Sequence, residues 1–541
     1  MDPRLLGYYN RELEHLRQVG GEFAAEFPKI AGRLGLDAFE CTDPYVERLL
    51  EGFAFLAARV QLKLDAEFPQ FTQHLLEMVY PHYLAPTPSV AVVQLQPDLT
   101  EGSLAEGFEV PRDSALRGLL GKGEQTRCEF RTAHDVTLWP IEIAGVESFG
   151  RDAAVPFAVP NVDAESGLRF RLRATAGLKF EVLPLDRLPV LLRGGPRWRL
   201  YERLMTDVAA VAVRPFGSDA PFVLLGPDSV RPWGFEDDQA LFPYGPQSFR
   251  GYRLLQEYFA LPDRFLFFEL TGLQRAVRRC KGSELEVQVL FRNADRVREP
   301  VVSPAEFALH CTPAVNLFPK RADRIHLADG VHEHHVVLDR TRPMDFEVYA
   351  ITAATGIGIA STDETKFLSF YAANEDADEA ERAAYYTARR EPRVLSSKQH
   401  ASGTRTGYVG SEVFVSLVDS AEAPYRHDLR QLALETLCTN RDLPLQMPIG
   451  VGDTDLSLDI GAPVRSIRCV AGPTRPKPSL ANRDGETAWR LVSHLSLNYL
   501  SLTDTDDRRG AAALRELLGL YGDAAEAVIR KEIGGVRSVS S

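Results

Sequence analysis

Residues 71–96 read FTQHLLEMVYPHYLAPTPSVAVVQLQ, and the change of period inside them decides the fold. Phe71 to Val79 carries apolar residues at helical spacing and stops before Pro81, which cannot continue a helix. Val92-Val93-Gln94-Leu95-Gln96 then opens a period of two, the signature of a half-buried strand. The chain upstream of this stretch is therefore expected to be helical and the chain downstream mostly β.

Working back toward the N-terminus, Leu6, Leu13, Leu16, Val19, Phe23, Phe27, Ile30 and Leu34 recur at steps of three, four or seven and mark one helix face. Gly20, Gly21 and Pro28 must interrupt or bend it. A second helix opens at Thr42-Asp43-Pro44, where Thr42 or Asp43 caps free N–H groups and Pro44 suits the first turn. Its stripe is Val46, Leu49, Phe53, Leu56, Val60 and Leu64, with Phe71–Val79 as a third, short stretch. Such stripes suit either a self-contained bundle or one completed by a partner. Two long stripes and a short one offer little core, so some apolar surface is expected to need burial elsewhere.

Working forward, Phe170-Arg171-Leu172-Arg173 and Leu285-Glu286-Val287-Gln288-Val289 alternate, and Phe265 to Leu270 is a denser apolar run. Gly, Pro, Asn and Asp punctuate these segments at short intervals, as in antiparallel β domains. Short helices are expected near Leu200–Asp207 and Tyr252–Tyr258, and further ones over His427–Cys438, Ala511–Tyr521 and Asp523–Ile533, with strands resuming near Val413–Val418. The acidic run Glu375–Glu381, followed by Arg389, Arg390 and Arg393, reads as a solvated loop leading into a short helix, and the stretch 360–395 as a hinge. The fold class is thus α+β and multi-domain: an N-terminal helical region, then mostly antiparallel β domains with short helices. The expected divisions are 1–90 helical, 91–360 β-rich (one or two domains), 361–505 β-rich or mixed, and 506–541 helical.

Composition narrows the function. The 541 residues carry 45% hydrophobic and 25% charged side chains, ordinary for a globular protein of about three or four domains. A net charge of −13 disfavours nucleic acid and anionic membrane surfaces, since both are held by neutralising phosphates. Six cysteines, at 41, 128, 280, 311, 438 and 469, include no CxxC pair and read as buried free thiols in a reducing cytosol. No secretory signal and no membrane span are visible, so no direct membrane insertion is expected.

The search for chemistry returns little. His332-Glu333-His334-His335 lacks HExxH spacing, and on a strand His332 and His334 share a face that binds metal only with remote ligands. Gly356-Ile357-Gly358 sits in β-rich surroundings, and Gly118–Gly123 lacks P-loop spacing. Gly450–Asp455 lacks the alternation of a calcium loop, and no G-x-S-x-G elbow occurs. No catalytic residue, cofactor or metal is assigned, which argues for a structural role. A carbohydrate-binding or carbohydrate-active β-rich protein is the alternative reading, and a metalloenzyme using His332 and His334 the third.

Several segments go beyond pattern: GYYNRELEHLRQVGGEFAAEFPKIAGRLGL (7–36), DPYVERLLEGFAFLAARVQLKLDAEFP (43–69), LLEMVYPHYLAPTPS (75–89), SFRGYRLLQEYFALPDRFLFFELTGL (248–273), HCTPAVNLFPKRADRI (310–325), DRTRPMDFEVY (339–349) and CTNRDLP (438–444). Together they resemble the TssF family, also called ImpG or VasA, baseplate subunits of bacterial type VI secretion systems. The resemblance covers essentially the whole chain. It implies a non-enzymatic wedge component that assembles with a TssG-like subunit and a second TssF copy, contacts a TssK-like adaptor, a TssE-like subunit and the VgrG-like spike hub, and resides in the bacterial cytoplasm at the inner-membrane-docked baseplate. Members of the family continue past the Gly534–Ser541 stretch into a further strand-and-helix segment, so the chain is expected to be truncated there. With that role, Leu13, Leu16, Phe23, Phe53, Leu56 and Val60 are the residues expected in an inter-subunit bundle.

Overall fold

The computed structural model describes residues 5–35, 43–100, 102–150, 162–195, 197–245, 248, 250–294, 302–328, 330–358, 364–371, 384–395, 405–419, 425, 428–479, 485–494, 507–522 and 526–539. Three helices come first: α1 (Leu5–Glu26), α2 (Pro28–Leu34) and α3 (Pro44–Val79). Pro28 separates α1 from α2, as proline at a first helical position should. Gly35 takes a left-handed conformation (φ 62°) that stops α2. Asp43 is the N-cap of α3, accepting the Tyr45 N–H at 2.8 Å.

The third short helix expected at Phe71–Val79 is instead the end of α3, which runs unbroken for 36 residues and about 54 Å. It stops where expected, before Pro81, and the first strand, Val90–Pro97, follows after one 3₁₀ turn.

That strand enters a closed barrel of six strands: Val90–Pro97, Cys311–Val315, Glu129–Thr132, Ala115–Gly118, Leu456–Leu458 and Val464–Ala471. Its interior holds Val93, Leu95, Leu116, Phe130 and Ile467. Between the barrel strands Glu129–Thr132 and Cys311–Val315 the chain builds a sandwich. A five-stranded sheet (Val223–Leu225, Val208–Pro215, Glu284–Phe291, Ser166–Ala174, Ile141–Gly150) faces a four-stranded one (Val230–Pro232, Phe267–Leu270, Leu188–Leu192, Phe307–Ala308). Leu168, Phe170 and Leu172 from the first sheet and Val190, Phe267 and Phe268 from the second share one core. The alternation read at 170–173 is this inward-outward pattern. The expected short helices are α4 (Arg197–Thr206) and α5 (Arg253–Ala260).

The third β unit is an eight-stranded sheet drawn from Phe318 to Thr439, antiparallel except where Leu368 and Ser369 pair with Tyr385 and Tyr386. Both this sheet and the barrel take strands from either side of residue 360.

Two expectations are corrected here. His427–Cys438 was expected to be helical, but Leu429–Thr439 is a central strand flanked by Glu347–Gly358 on one side and by Phe318–Arg321 and Ile325–His326 on the other. Its leucines, alanine and glutamate are good helix formers, yet Leu432, Leu434, Thr436 and Cys438 alternate into the core, and ladder pairing on both edges overrides propensity. The short helix expected around Arg389 and Arg390 is likewise a strand, Ala384–Pro392. Arg390 points inward and donates to the Val348 and Tyr349 carbonyls at 2.7 and 2.8 Å. The acidic run at 375–381 lies outside the described residues.

The chain returns to helices at its end: α6 (Gly485–His494), α7 (Asp507–Tyr521) and α8 (Ala527–Gly534). They do not form a separate unit. Ala488, Leu491, Leu517 and Tyr521 pack with Leu76, Tyr80 and Tyr83 at the foot of α3 and with Phe259 of α5. The two ends of the chain thus share one helical base beneath the long N-terminal hairpin.

Candidate interaction surface

α1 packs along α3, and Arg17 of α1 reaches Glu47 near the start of α3 at 3.5 Å. Small residues permit the close approach, and Ala54 and Ala58 are fully buried. The opposite face of α3 is different. Leu49, Phe53, Leu56, Val60, Leu64 and Phe71 are each between 54% and 74% exposed. Their steps of 4, 3, 4, 4 and 7 place them on one narrow stripe along the helix. Leu6 and Val19 of α1, Phe27 before α2, and Ile30 and Leu34 of α2 add further exposed apolar surface. A helix apolar on two opposite faces is one whose second face is meant to be covered.

The six residues singled out from the sequence divide accordingly. Phe53, Leu56 and Val60 stand on the exposed stripe of α3, whereas Leu13, Leu16 and Phe23 are half-buried on α1. Phe71 and Met78, which extend the stripe downward, belong to the stretch that the sequence reads as a third, short one.

The foot of α3 is locked to the body by polar and aromatic contacts. Gln73 donates to the Arg390 carbonyl at 3.3 Å, His74 stacks on Tyr371 at 4.4 Å, and Ser369 donates to Glu77 at 3.5 Å. The Ser479 hydroxyl donates to the Tyr83 carbonyl at 2.7 Å, and Lys477 to that of Phe259 at 3.0 Å. Tyr80, His82 and Tyr83 form an aromatic knot, with ring centroids 3.8–5.4 Å apart. Burial pushes the His82 imidazole down to about 3. This rigid base holds the hairpin as a projecting arm. The apolar spacing of α6, at Ala488, Leu491 and Val492, was the missed sign that the C-terminal helices buttress it.

The chemical candidates find structural explanations. His334 is buried on a two-residue strand against Phe414 and Val415, and Glu333 is taken up by Arg389 at 2.7 and 2.8 Å. Among the described residues no group of three or more His, Cys, Asp or Glu side chains is placed to hold a metal ion. Gly356 and Gly358 lie in the strand Glu347–Gly358, and a Cβ on Gly356 would sit 2.8 Å from the Phe367 ring. The first of them is thus a packing glycine. Asp455 organises its own loop, accepting the Gly450 N–H at 2.6 Å and the Cys469 N–H at 2.9 Å. Four of the cysteines, Cys128, Cys280, Cys311 and Cys438, are buried free thiols, and Cys469 is a half-buried one. Burial pushes the Cys128 and Cys311 thiols up to about 12, away from reactivity. No helix among the described residues is long and apolar enough to cross a membrane.

Comparison with known proteins shows the family. The family model described as "Type VI secretion system, TssF" matches residues 1–541. The type VI secretion system component TssF1 of Pseudomonas aeruginosa is 57% identical over 545 residues, covering 100% of this chain and 87% of that protein. Among solved structures, a chain of a TssK-TssF-TssG baseplate subcomplex superposes with a TM-score of 0.67 at 26% identity, covering 91% of this chain and 85% of that one. A chain of the baseplate complex from the type VI secretion system superposes with a TM-score of 0.54 at 25% identity, covering 98% and 85% respectively.

Proposed function

We propose that this chain, which belongs to the type VI secretion system TssF family, is a structural subunit of the baseplate and uses the exposed stripe of α3 to join its neighbours. The observation that carries the reading is the two-faced α3. One face is closed by α1, and the other presents six large apolar side chains in line on an arm anchored to a rigid base. Burying such a stripe in a bundle of several chains gives each contact modest strength and the closed assembly a large one. TssG-like and TssK-like subunits are the first partners, because the similar solved chain stands in a complex of TssK, TssF and TssG. A second copy of this chain, a TssE-like subunit and a VgrG-like hub are the further partners of a wedge that closes into a ring. The assembled wedge would work in the cytoplasm, docked at the inner membrane. The role is mechanical rather than catalytic, in keeping with polar groups spent on internal packing.

Co-expression with the TssG-like subunit of the same secretion cluster, followed by mass determination in solution, tests the reading. A defined complex containing more copies of this chain than of the TssG-like chain is expected. The double variant Phe53→Asp/Leu56→Asp should fold and lose the complex. A folded double variant that assembles normally overturns the stripe as the contact.

A further inference from the structure

We propose that four exposed cations of the sandwich, Arg275, Arg278, Arg279 and Lys281, form a docking patch for a carboxylate-rich peptide segment, the run Glu375–Glu381 of a second copy of this chain; the choice of a second copy rests on the assembly reading above. The four stand on the helical turn Gln274–Val277 and on the residues that lead from it into the strand Glu284–Phe291.

The turn is fixed from beneath. Leu273, Ala276, Val277 and Cys280 recur at helical spacing and are buried in the sandwich core. Arg279 and Cys280 donate their N–H groups to the Ala276 and Val277 carbonyls at 3.0 Å, so the helical winding continues to Cys280. Arg275, Arg278 and Arg279 therefore share the outward face at i, i+3 and i+4. Like charges at those spacings repel one another and weaken a helix, yet the core contacts of the other face hold them there.

Among the described residues these four side chains have no carboxylate, carbonyl or ring partner. Elsewhere on the same sandwich arginine and acid are matched: Arg171 and Arg173 share Glu284, and Arg187 holds Glu269. The adjoining acids are engaged as well. Asp186 accepts the Gln274 N–H at 3.2 Å, and Glu181 lies 4.0 Å from Lys179. Four unmatched cations on one rigid turn reverse the sign locally in a chain whose net charge is −13.

Charge complementarity selects the occupant. Glu375, Asp376, Asp378, Glu379 and Glu381 put five carboxylates into seven residues, the densest acidic run of the sequence. A guanidinium meets a carboxylate through two parallel N–H···O bonds, which suits three arginines to such a peptide. Six residues of helix span about 9 Å, so the patch matches a short segment. A nucleic-acid duplex or a membrane surface reaches far beyond it and meets the acidic remainder of the chain. One copy's patch on the next copy's run is a head-to-tail contact, the kind from which rings are built.

Titrating the full chain with a synthetic peptide of residues 372–383 tests the pairing. Saturable binding is expected at about 50 mM salt and should weaken several-fold at about 300 mM, where screening is stronger. Arg275→Ala/Arg278→Ala/Arg279→Ala trims exposed side chains only, should fold, and should bind about tenfold more weakly. Absence of peptide binding, or unchanged binding in that variant, overturns the patch. Phosphatidylglycerol vesicles that bind through the patch where the peptide does not would overturn the peptide as occupant.

Charge reversal tests the second copy. Sedimentation of the wild-type chain over a concentration series at low salt should show self-association. Arg275→Glu/Arg278→Glu/Arg279→Glu and Glu375→Lys/Asp376→Lys/Asp378→Lys should each lose it. An equimolar mixture of the two variants should regain it, since each supplies the sign that the other lacks. A mixture that stays dissociated, or a wild-type chain that does not self-associate, overturns the second copy as the source. Salt weakens this contact but not an apolar one, and Phe53→Asp/Leu56→Asp leaves the patch intact, so failure of the patch is distinct from failure of the stripe.

Discussion

Asn316 and Asn440 hold each other reciprocally: the Asn440 N–H donates to Asn316 Oδ1 at 2.7 Å, and Asn316 Nδ2 donates to Asn440 Oδ1 at 2.9 Å. Neither has any exposed surface. Both also serve the Glu129 backbone, Asn316 Nδ2 donating to its carbonyl at 2.8 Å and Asn440 Oδ1 accepting its N–H at 2.9 Å. The pair therefore ties a barrel strand to the end of a central strand of the eight-stranded sheet.

Asn440→Ala should strand the Glu129 N–H and an Asn316 donor in the interior. With about 1–3 kcal/mol for each buried group left unmade, a loss on the order of 3 kcal/mol is expected. Urea unfolding of Asn440→Ala, Asn316→Ala and the double variant checks this. The double variant should cost less than the two singles combined, because the pair acts as one unit. Strict additivity would mean that the two amides are not coupled.

Glu257 lies fully buried on α5 between two arginines, Arg253 at 3.5 Å and Arg264 in direct contact, and also accepts the Leu241 N–H at 3.0 Å. Burial, with Arg253 nearby, pushes the Arg264 guanidinium down to about 9. Glu257→Gln would leave the buried Arg264 without its carboxylate partner and Arg253 with only Asp237 at 3.8 Å, and removing one partner of a buried pair typically costs about 3–5 kcal/mol. Poor soluble yield and a strongly lowered urea midpoint are expected, and a midpoint equal to that of the parent would refute the triad as a structural requirement.

The architecture was legible where local pattern and tertiary demand agree. Pro81 lies directly beyond the last turn of α3 and has no N–H with which to extend it, and the alternation at Phe170–Arg173 is fixed by one face meeting the sandwich core. The segments that carried the family resemblance are junctions. Asn316 and Asn440 fall in two of them, Glu257 and Arg264 in a third, and the foot of α3 in a fourth. The Asn316–Asn440 pairing was invisible in the sequence because the partners lie 124 residues apart, and the Glu257–Arg264 pair, though local, reads like any surface charge pair until the fold buries it. The strand Leu429–Thr439 was misread for the converse reason: its residues prefer helix, and only neighbours on both edges make it a strand. The stripe on α3 could be read as apolar, but not as exposed, since a period of 3.6 says which residues share a face and nothing of what covers it.

Phe53 and Ala54 are consecutive in sequence, about 100° apart around α3, yet one is 60% exposed and the other fully buried. Ala54→Leu should force α1 away from α3 and cost about 1–3 kcal/mol through overpacking. Phe53→Ser should change stability by less than about 0.5 kcal/mol and shorten retention on a hydrophobic-interaction column. Paired thermal melts and column runs distinguish the two faces, and a destabilised Phe53→Ser would show that the stripe is packed within the chain.

Acid should loosen the protein through histidines buried in neutral form. Burial holds His82 and His134 down at about 3 and His310 at about 4, against an ordinary value near 6.5. His134 is neutral by design, accepting from Trp233 Nε1 at 3.2 Å and donating to the Gln239 carbonyl at 3.0 Å. His310 accepts the Trp139 N–H at 3.2 Å. Between these values and 6.5 the unfolded chain takes up protons and the folded chain does not. The stability from the three sites is therefore complete above about pH 6.5 and falls as pH drops toward 4. Each site adds a slope of about 1.4 kcal/mol per pH unit once its unfolded form is protonated, so the three give about 4 kcal/mol per unit near pH 5. Urea midpoints measured from pH 7.5 to 5 should trace this decline. His310→Gln keeps an acceptor for Trp139 but removes the titration, and should flatten the decline by about a third. An unchanged slope in that variant would assign the acid sensitivity to other groups.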